Sequence, residues 1–140
     1  MRRWMISRTT CNDALSARYP RIPLVHHRGR AAQCHREQAI RDGDNEPVLS
    51  AASAWEIAIK VRLGRLPISE PLESFITDHM ERNRIQLLPV ELHHTFEVAR
   101  LPLHHRDPFD RLLVCQARAE ELPLVTADAA FSAYGVDILW

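Results

Sequence analysis

A chain of 140 residues, 46% of them hydrophobic, is long enough for one domain with a sizeable core. No apolar run approaches the roughly 20 residues of a membrane-spanning helix, and the opening MRRWMISRTT lacks the apolar centre of a secretory signal, so a soluble cytoplasmic protein with no membrane partner is expected. The formal charge of zero conceals a split: residues 1–40 carry eight arginines, no lysine and two acids (Asp13 and Glu37), whereas residues 41–140 carry ten basic and sixteen acidic groups. Cys11, Cys34 and Cys115 show no metal-binding spacing, and their odd number argues against a disulfide framework. Free thiols in a reducing compartment fit best.

Residues 1–36 show no sustained period. Ile22–Val25 is a candidate short strand, pushed towards a sheet edge by Pro23, and Ala31–Arg41 a candidate helix. A basic arm that touches RNA phosphates and a poorly packing segment are both open readings. At Asp42-Gly43-Asp44-Asn45 a turn signal marks a change of character. The division expected is an atypical basic segment over 1–40 and a folded domain over 41–140.

Val48–Ser50 reads as a short strand. Ser53-Ala54-Trp55-Glu56 matches a Ser-x-x-Glu capping box, which predicts a helix starting there. Trp55, Ala58, Ile59 and Leu63 share a stripe at helical spacing, and Gly64 suits the stop. Lys60, Arg62 and Arg65 match the negative end of the helix dipole, or contact phosphate. Glu56 has two competing uses for the same oxygens, capping or a site carboxylate. Over 70–83 Leu72, Phe75, Ile76, His79 and Met80 form a clear amphipathic helix, with His79 as a packed histidine. Ile85–Val90 reads as a strand, and Glu91–Arg100 as a short helix with Leu92, Phe96 and Ala99 inward. The pairs His93-His94 and His104-His105 lack the partner spacing that zinc requires.

Asp107 and Pro108 look like the N-cap and first residue of a helix that is apolar on more than one side through Ala119. Leu122–Thr126 follows as a strand buried on both faces, and Asp128 comes at once. Phe131 and Tyr134 read as core, Gly135 as a turn, and Val136–Trp140 as a last strand. From residue 48 the order is β-α-α-β-α-α-β-β, which predicts a three-layer α/β domain with a mainly parallel sheet. In such folds ligands bind beyond the carboxyl ends of the strands. Asp107 can merely cap, Asp110 can merely favour the helix dipole and Asp128 can merely turn. Taken together, Glu56, Asp107, Asp110 and Asp128 are candidates for one site.

Clustered carboxylates without a nucleophile–base pair suit a hard divalent cation, which activates water and stabilises the oxygens of phosphodiester cleavage. There is no glycine-rich phosphate loop and no Gly-x-Ser-x-Gly elbow, and Cys115 lies in an apolar helix. A magnesium-dependent phosphoacceptor domain would want a lysine late in the chain, and the one lysine is Lys60.

VLSAASAWEIAIK (48–60), LPLHHRDPFDRLLVCQARAEELPLVTAD (101–128) and FSAYGVDILW (131–140) resemble PIN-domain ribonuclease toxins of the VapC type, over about residues 39–140. The resemblance implies an α/β/α fold, cleavage of RNA with Mg²⁺ or Mn²⁺ held by a quartet of acids, and inhibition by a cognate antitoxin. Glu56, Asp110 and Asp128 match the second, third and fourth acids as catalytic metal ligands, and Asp107 matches a recurrent aspartate of the same motif. Lys60, Arg111 and His105 are the expected substrate contacts, and a homodimer is the expected assembly.

Members open with a strand of Leu-Leu-Asp-Thr-His type whose aspartate is a metal ligand. Nothing in residues 1–40 matches it, so the first strand is expected to be missing or degraded. The first 36–40 residues are then read out of frame or replaced, an idea that translating the upstream nucleotides in all frames tests. Two functions follow: an active endoribonuclease, or an inactive PIN-like remnant that retains antitoxin-binding or self-association surfaces.

Overall fold

The computed structural model describes residues 2–6, 45–126 and 128–139. The candidate elements at Ile22–Val25 and Ala31–Arg41, the turn at 42–44, Cys11, Cys34 and Asp13 lie outside them. Among the described residues the order is β1 (Arg2–Ile6), β2 (Asn45–Ser50), α1 (Ala51–Arg62), α2 (Leu72–Arg82), β3 (Gln86–Leu88), α3 (Leu92–Val98), α4 (Pro108–Ala119), β4 (Leu124–Val125), a 3₁₀ helix (Ala129–Tyr134) and β5 (Ile138–Leu139). The strands form one sheet in the order β3-β2-β1-β4-β5, with every pairing parallel.

Strand register explains the three layers. Met5 pairs with Val48 on one side and Leu124 on the other, and Ile6 likewise with Leu49 and Val125. Successive side chains on a strand point to opposite faces. The Val48–Met5–Leu124 row therefore packs against Leu113, Val114 and Ala117 of α4, and the Leu49–Ile6–Val125 row packs with Ile57 of α1 and Phe75 of α2. Both faces are covered, as an all-parallel sheet requires. Among the described residues no helix is long and apolar enough to cross a membrane.

The first strand is therefore not missing. Arg2–Ile6 fills the middle of the sheet, with Met5 and Ile6 fully buried. It escapes a search for an apolar strand because its first two residues are arginines and two apolar residues are enough to serve both core layers.

Helix α1 also differs from expectation. It starts at Ala51, three residues before the Ala54 that a capping box at Ser53–Glu56 would require, and its N-cap is Ser50, whose Oγ accepts the Ala52 N–H at 3.0 Å. Ser50 has the extended backbone of a strand end, so it closes β2 and opens α1 at once. The earlier start leaves Glu56 in the second turn with no capping duty. The helix buries Ala52, Ser53, Glu56 and Ile57, while Trp55 and Leu63 of the predicted stripe are exposed. Two apolar faces compete in AASAWEIAIK, and the one with small residues at its start approaches the sheet. On α3 Leu92 and Phe96 are likewise exposed and His94 is the buried side chain. Helix α2 buries Phe75 as the spacing predicts, and Phe131 and Tyr134 are core.

Candidate functional site

All strands point the same way, so their carboxyl ends share one edge. Ser50 ends β2 at that edge, and Glu56 follows on α1; Val125 ends β4, and Asp128 follows three residues on. Helix α4 joins β4 through a turn at its C-terminus, so its N-terminus, with Asp107 and Asp110, lies towards the same edge. Two contacts hold α4 there. Ser50 Oγ donates to Gln116 Oε1 at 2.5 Å, and the rings of Trp55 and Phe109, the neighbours of Glu56 and Asp110, meet edge to face at 5.1 Å.

The acids differ in environment. Glu56 is buried, and its Oε1 lies 3.1 Å from Lys60 Nζ one turn along α1. Asp110 is buried in the first turn of α4. Asp107 is the N-cap of that helix, accepting the Phe109 N–H at 2.8 Å. Asp128 is half exposed; its Oδ1 accepts the Ala130 N–H at 2.9 Å, and its own N–H donates to Thr126 Oγ1 at 3.1 Å. Asp128 thus caps the 3₁₀ helix and still offers a second oxygen. The donor chemistry along this edge is carboxylate oxygen throughout, which fits a hard cation that keeps several waters.

Two of the expected substrate contacts have other partners. His105 is buried, with Nε2 3.3 Å from Asp128 Oδ2. Arg111, the other, is engaged within the chain. Its guanidinium donates to the carbonyls of Val98, Leu101 and Pro102, each at 2.9 Å, and so closes the C-terminal end of α3. Its two terminal nitrogens are thus engaged by backbone carbonyls, that of Leu101 in a buried bond. Lys60 stands beside Glu56, where its charge partly offsets a buried carboxylate.

Among the described residues, the one set of three ligand atoms lying within 4.8 Å of one another is elsewhere, in His93, His94 and Glu120. His94 Nδ1 accepts the Glu91 N–H at 3.0 Å, so in the neutral ring the proton sits on Nε2, the atom facing Glu120 at 3.4 Å. That nitrogen has no lone pair for a metal while the cap bond stands. Here His94 takes the place that Glu or Gln fills in a capping box, reciprocally with Glu91.

A three-layer fold with parallel strands and acids at the strand ends defines a broad class of α/β proteins. A family model described as PIN domain matches residues 24–137, and the chain belongs to that family. It is 43% identical over 88 residues to Ribonuclease VapC16 of Mycobacterium tuberculosis (strain ATCC 25618 / H37Rv), a match covering 62% of this chain. The chain spans about 61% of the length of that relative. The fold is similar to the crystal structure of VapBC2 from Rickettsia felis bound to a DNA fragment from their promoter, with a TM-score of 0.69 at 16% identity over 98% of this chain and 97% of that one.

Proposed function

We propose that this chain is a divalent-cation-dependent endoribonuclease of the VapC toxin type. In this reading Glu56, Asp110 and Asp128 hold Mg²⁺ or Mn²⁺, with Asp107 as a further ligand of the same motif. The observation that carries it is the departure of these acids from one edge of a parallel sheet, in a chain 43% identical over 88 residues to a VapC ribonuclease. When bound, the metal supplies an activated water and stabilises charge on the phosphate oxygens. Lys60 leaves Glu56 to meet a backbone phosphate, and His105 orients Asp128. The RNA is the substrate, an antitoxin protein the inhibitor, a second copy the homodimer partner, and the cytoplasm the compartment. Exposed Trp55, Leu63, Leu92 and Phe96 supply apolar surface for protein partners.

The test is cleavage of single-stranded RNA with added Mg²⁺. Asp110→Asn is expected to reduce the rate by about a hundredfold or more, with the melting temperature kept, because one metal ligand loses its charge. Cleavage that survives both Asp110→Asn and chelation overturns the reading.

One observation favours the inactive relative instead. The central strand Arg2–Ile6 contains no aspartate, whereas the resemblance implies that a first strand carries one. Absence of cleavage with retained antitoxin binding supports that alternative.

A further inference from the structure

The Asp128 carboxylate is held more firmly than its capping role requires. One oxygen, Oδ1, accepts the Ala130 N–H and completes the cap of the 3₁₀ helix. The second oxygen is met by a buried histidine brought from 23 residues upstream, His105, at 3.3 Å. That ring is itself fixed. It lies nearly parallel to the ring of Tyr134 (centroids 5.4 Å, 17° between planes) and 4.5 Å from the ring of Phe131. The His105 backbone N–H donates to Tyr134 Oη at 2.7 Å, and Nδ1 lies 3.2 Å from the same hydroxyl.

These contacts assign the protons. The Asp128 carboxylate only accepts, so in the neutral ring the imidazole proton sits on Nε2 and Nδ1 accepts the Tyr134 hydroxyl hydrogen, while the hydroxyl oxygen accepts the His105 backbone N–H. The imidazole plane is flanked by two rings and its Nδ1 is tied to one hydroxyl.

We infer that His105 and Tyr134 are a positioning pair that fixes the Asp128 carboxylate for a divalent cation. This rests on the metal-site reading above. A cation needs ligand oxygens held within a fraction of an ångström, and partners that orient ligating groups typically govern affinity by about 10–100-fold. Asp128 is half exposed and would otherwise rotate about its own side-chain bonds, with only the cap to restrain it.

The experiment is a titration of the full chain with Mn²⁺, free Mn²⁺ being read by electron paramagnetic resonance, beside thermal melts followed by circular dichroism. His105→Ala is expected to raise the Mn²⁺ Kd by about 10–100-fold. Tyr134→Phe keeps the stacked ring and loses only the hydroxyl, so it is expected to raise Kd by about 3–10-fold with little change in melting temperature. His105→Gln, which restores an N–H towards Asp128, is expected to recover most of the affinity. Adding His105→Ala to Asp128→Asn is expected to weaken binding no further, because the oriented group is already altered. In RNA cleavage the single variants are expected to lower kcat and leave KM unchanged. Unchanged Mn²⁺ affinity in folded Tyr134→Phe and His105→Gln, alongside an equally unchanged His105→Ala, overturns the inference. So does a parent chain that binds no Mn²⁺. A parent that binds Mn²⁺ and shows these losses, yet cuts no RNA, supports the positioning pair and overturns the nuclease reading alone.

Discussion

The seam between α3 and α4 and the carboxyl edge of the sheet each hold a buried histidine close to a carboxylate, His94 by Glu120 at 3.4 Å and His105 by Asp128 at 3.3 Å. At the seam the polar atoms end on other parts of the same chain: His94 on the Glu91 N–H, Arg111 on three carbonyls, Gln116 on Ser50 and the Pro89 carbonyl. At the edge His105 is anchored by Tyr134 and turned towards an aspartate that is half open to solvent. A histidine near an acid is thus either an internal fastening or a means of orienting a ligand. Its other ring nitrogen decides which: a backbone N–H occupies that of His94, and a tyrosine hydroxyl directs that of His105.

The comparison breaks if the seam proves functional rather than structural. Arg111→Ala should show the largest stability loss, about 3–5 kcal/mol by urea denaturation, because three carbonyls, that of Leu101 in a buried bond, lose a charged donor together. A normal melt with impaired RNA cleavage would return Arg111 to the substrate. His94→Ala should destabilise by about 2–3 kcal/mol, from the lost cap bond and the space left behind, with Mn²⁺ affinity unchanged. His94→Gln should retain most of that stability, since Gln also serves a capping box. Weakened Mn²⁺ binding in either His94 variant would erase the contrast with His105.

Smaller effects sharpen the same boundary. Glu121, just past the end of α4, has φ of 53°, a left-handed conformation that glycine adopts without strain. Glu121→Gly should stabilise by about 0.5–1 kcal/mol in the same denaturation assay. Cys115 lies in the seam, and burial, then the Glu97 carboxylate, raises its thiol pKa above the ordinary 9.0, with Arg118 and Arg111 opposing. The unfolded thiol ionises first, so this contribution to stability is present below pH 9.0 and is lost as pH rises through the alkaline range. Cys115→Ala should flatten the alkaline fall in melting temperature, and peptide mass spectrometry should find Cys115 alkylated by iodoacetamide only after unfolding.

The periods and turn residues from Val48 onward determined the element order, the parallel three-layer class and the run of acids at 107, 110 and 128. These are local signals: Phe75 and its neighbours repeat at helical spacing, Pro108 suits a first turn, and Gly135 has the positive φ of a turn. Tertiary structure decided what depends on a partner distant in sequence. Only pairing with β2 and β4 makes a strand of Arg2–Ile6, because two buried residues carry no period of their own. Only packing chose between the two apolar faces of α1, burying Glu56 and leaving Trp55 exposed. The assignments of Arg111 to carbonyls and of His105 to Asp128 and Tyr134 follow from contacts across 9 to 29 residues, set by where chain segments meet rather than by their spacing.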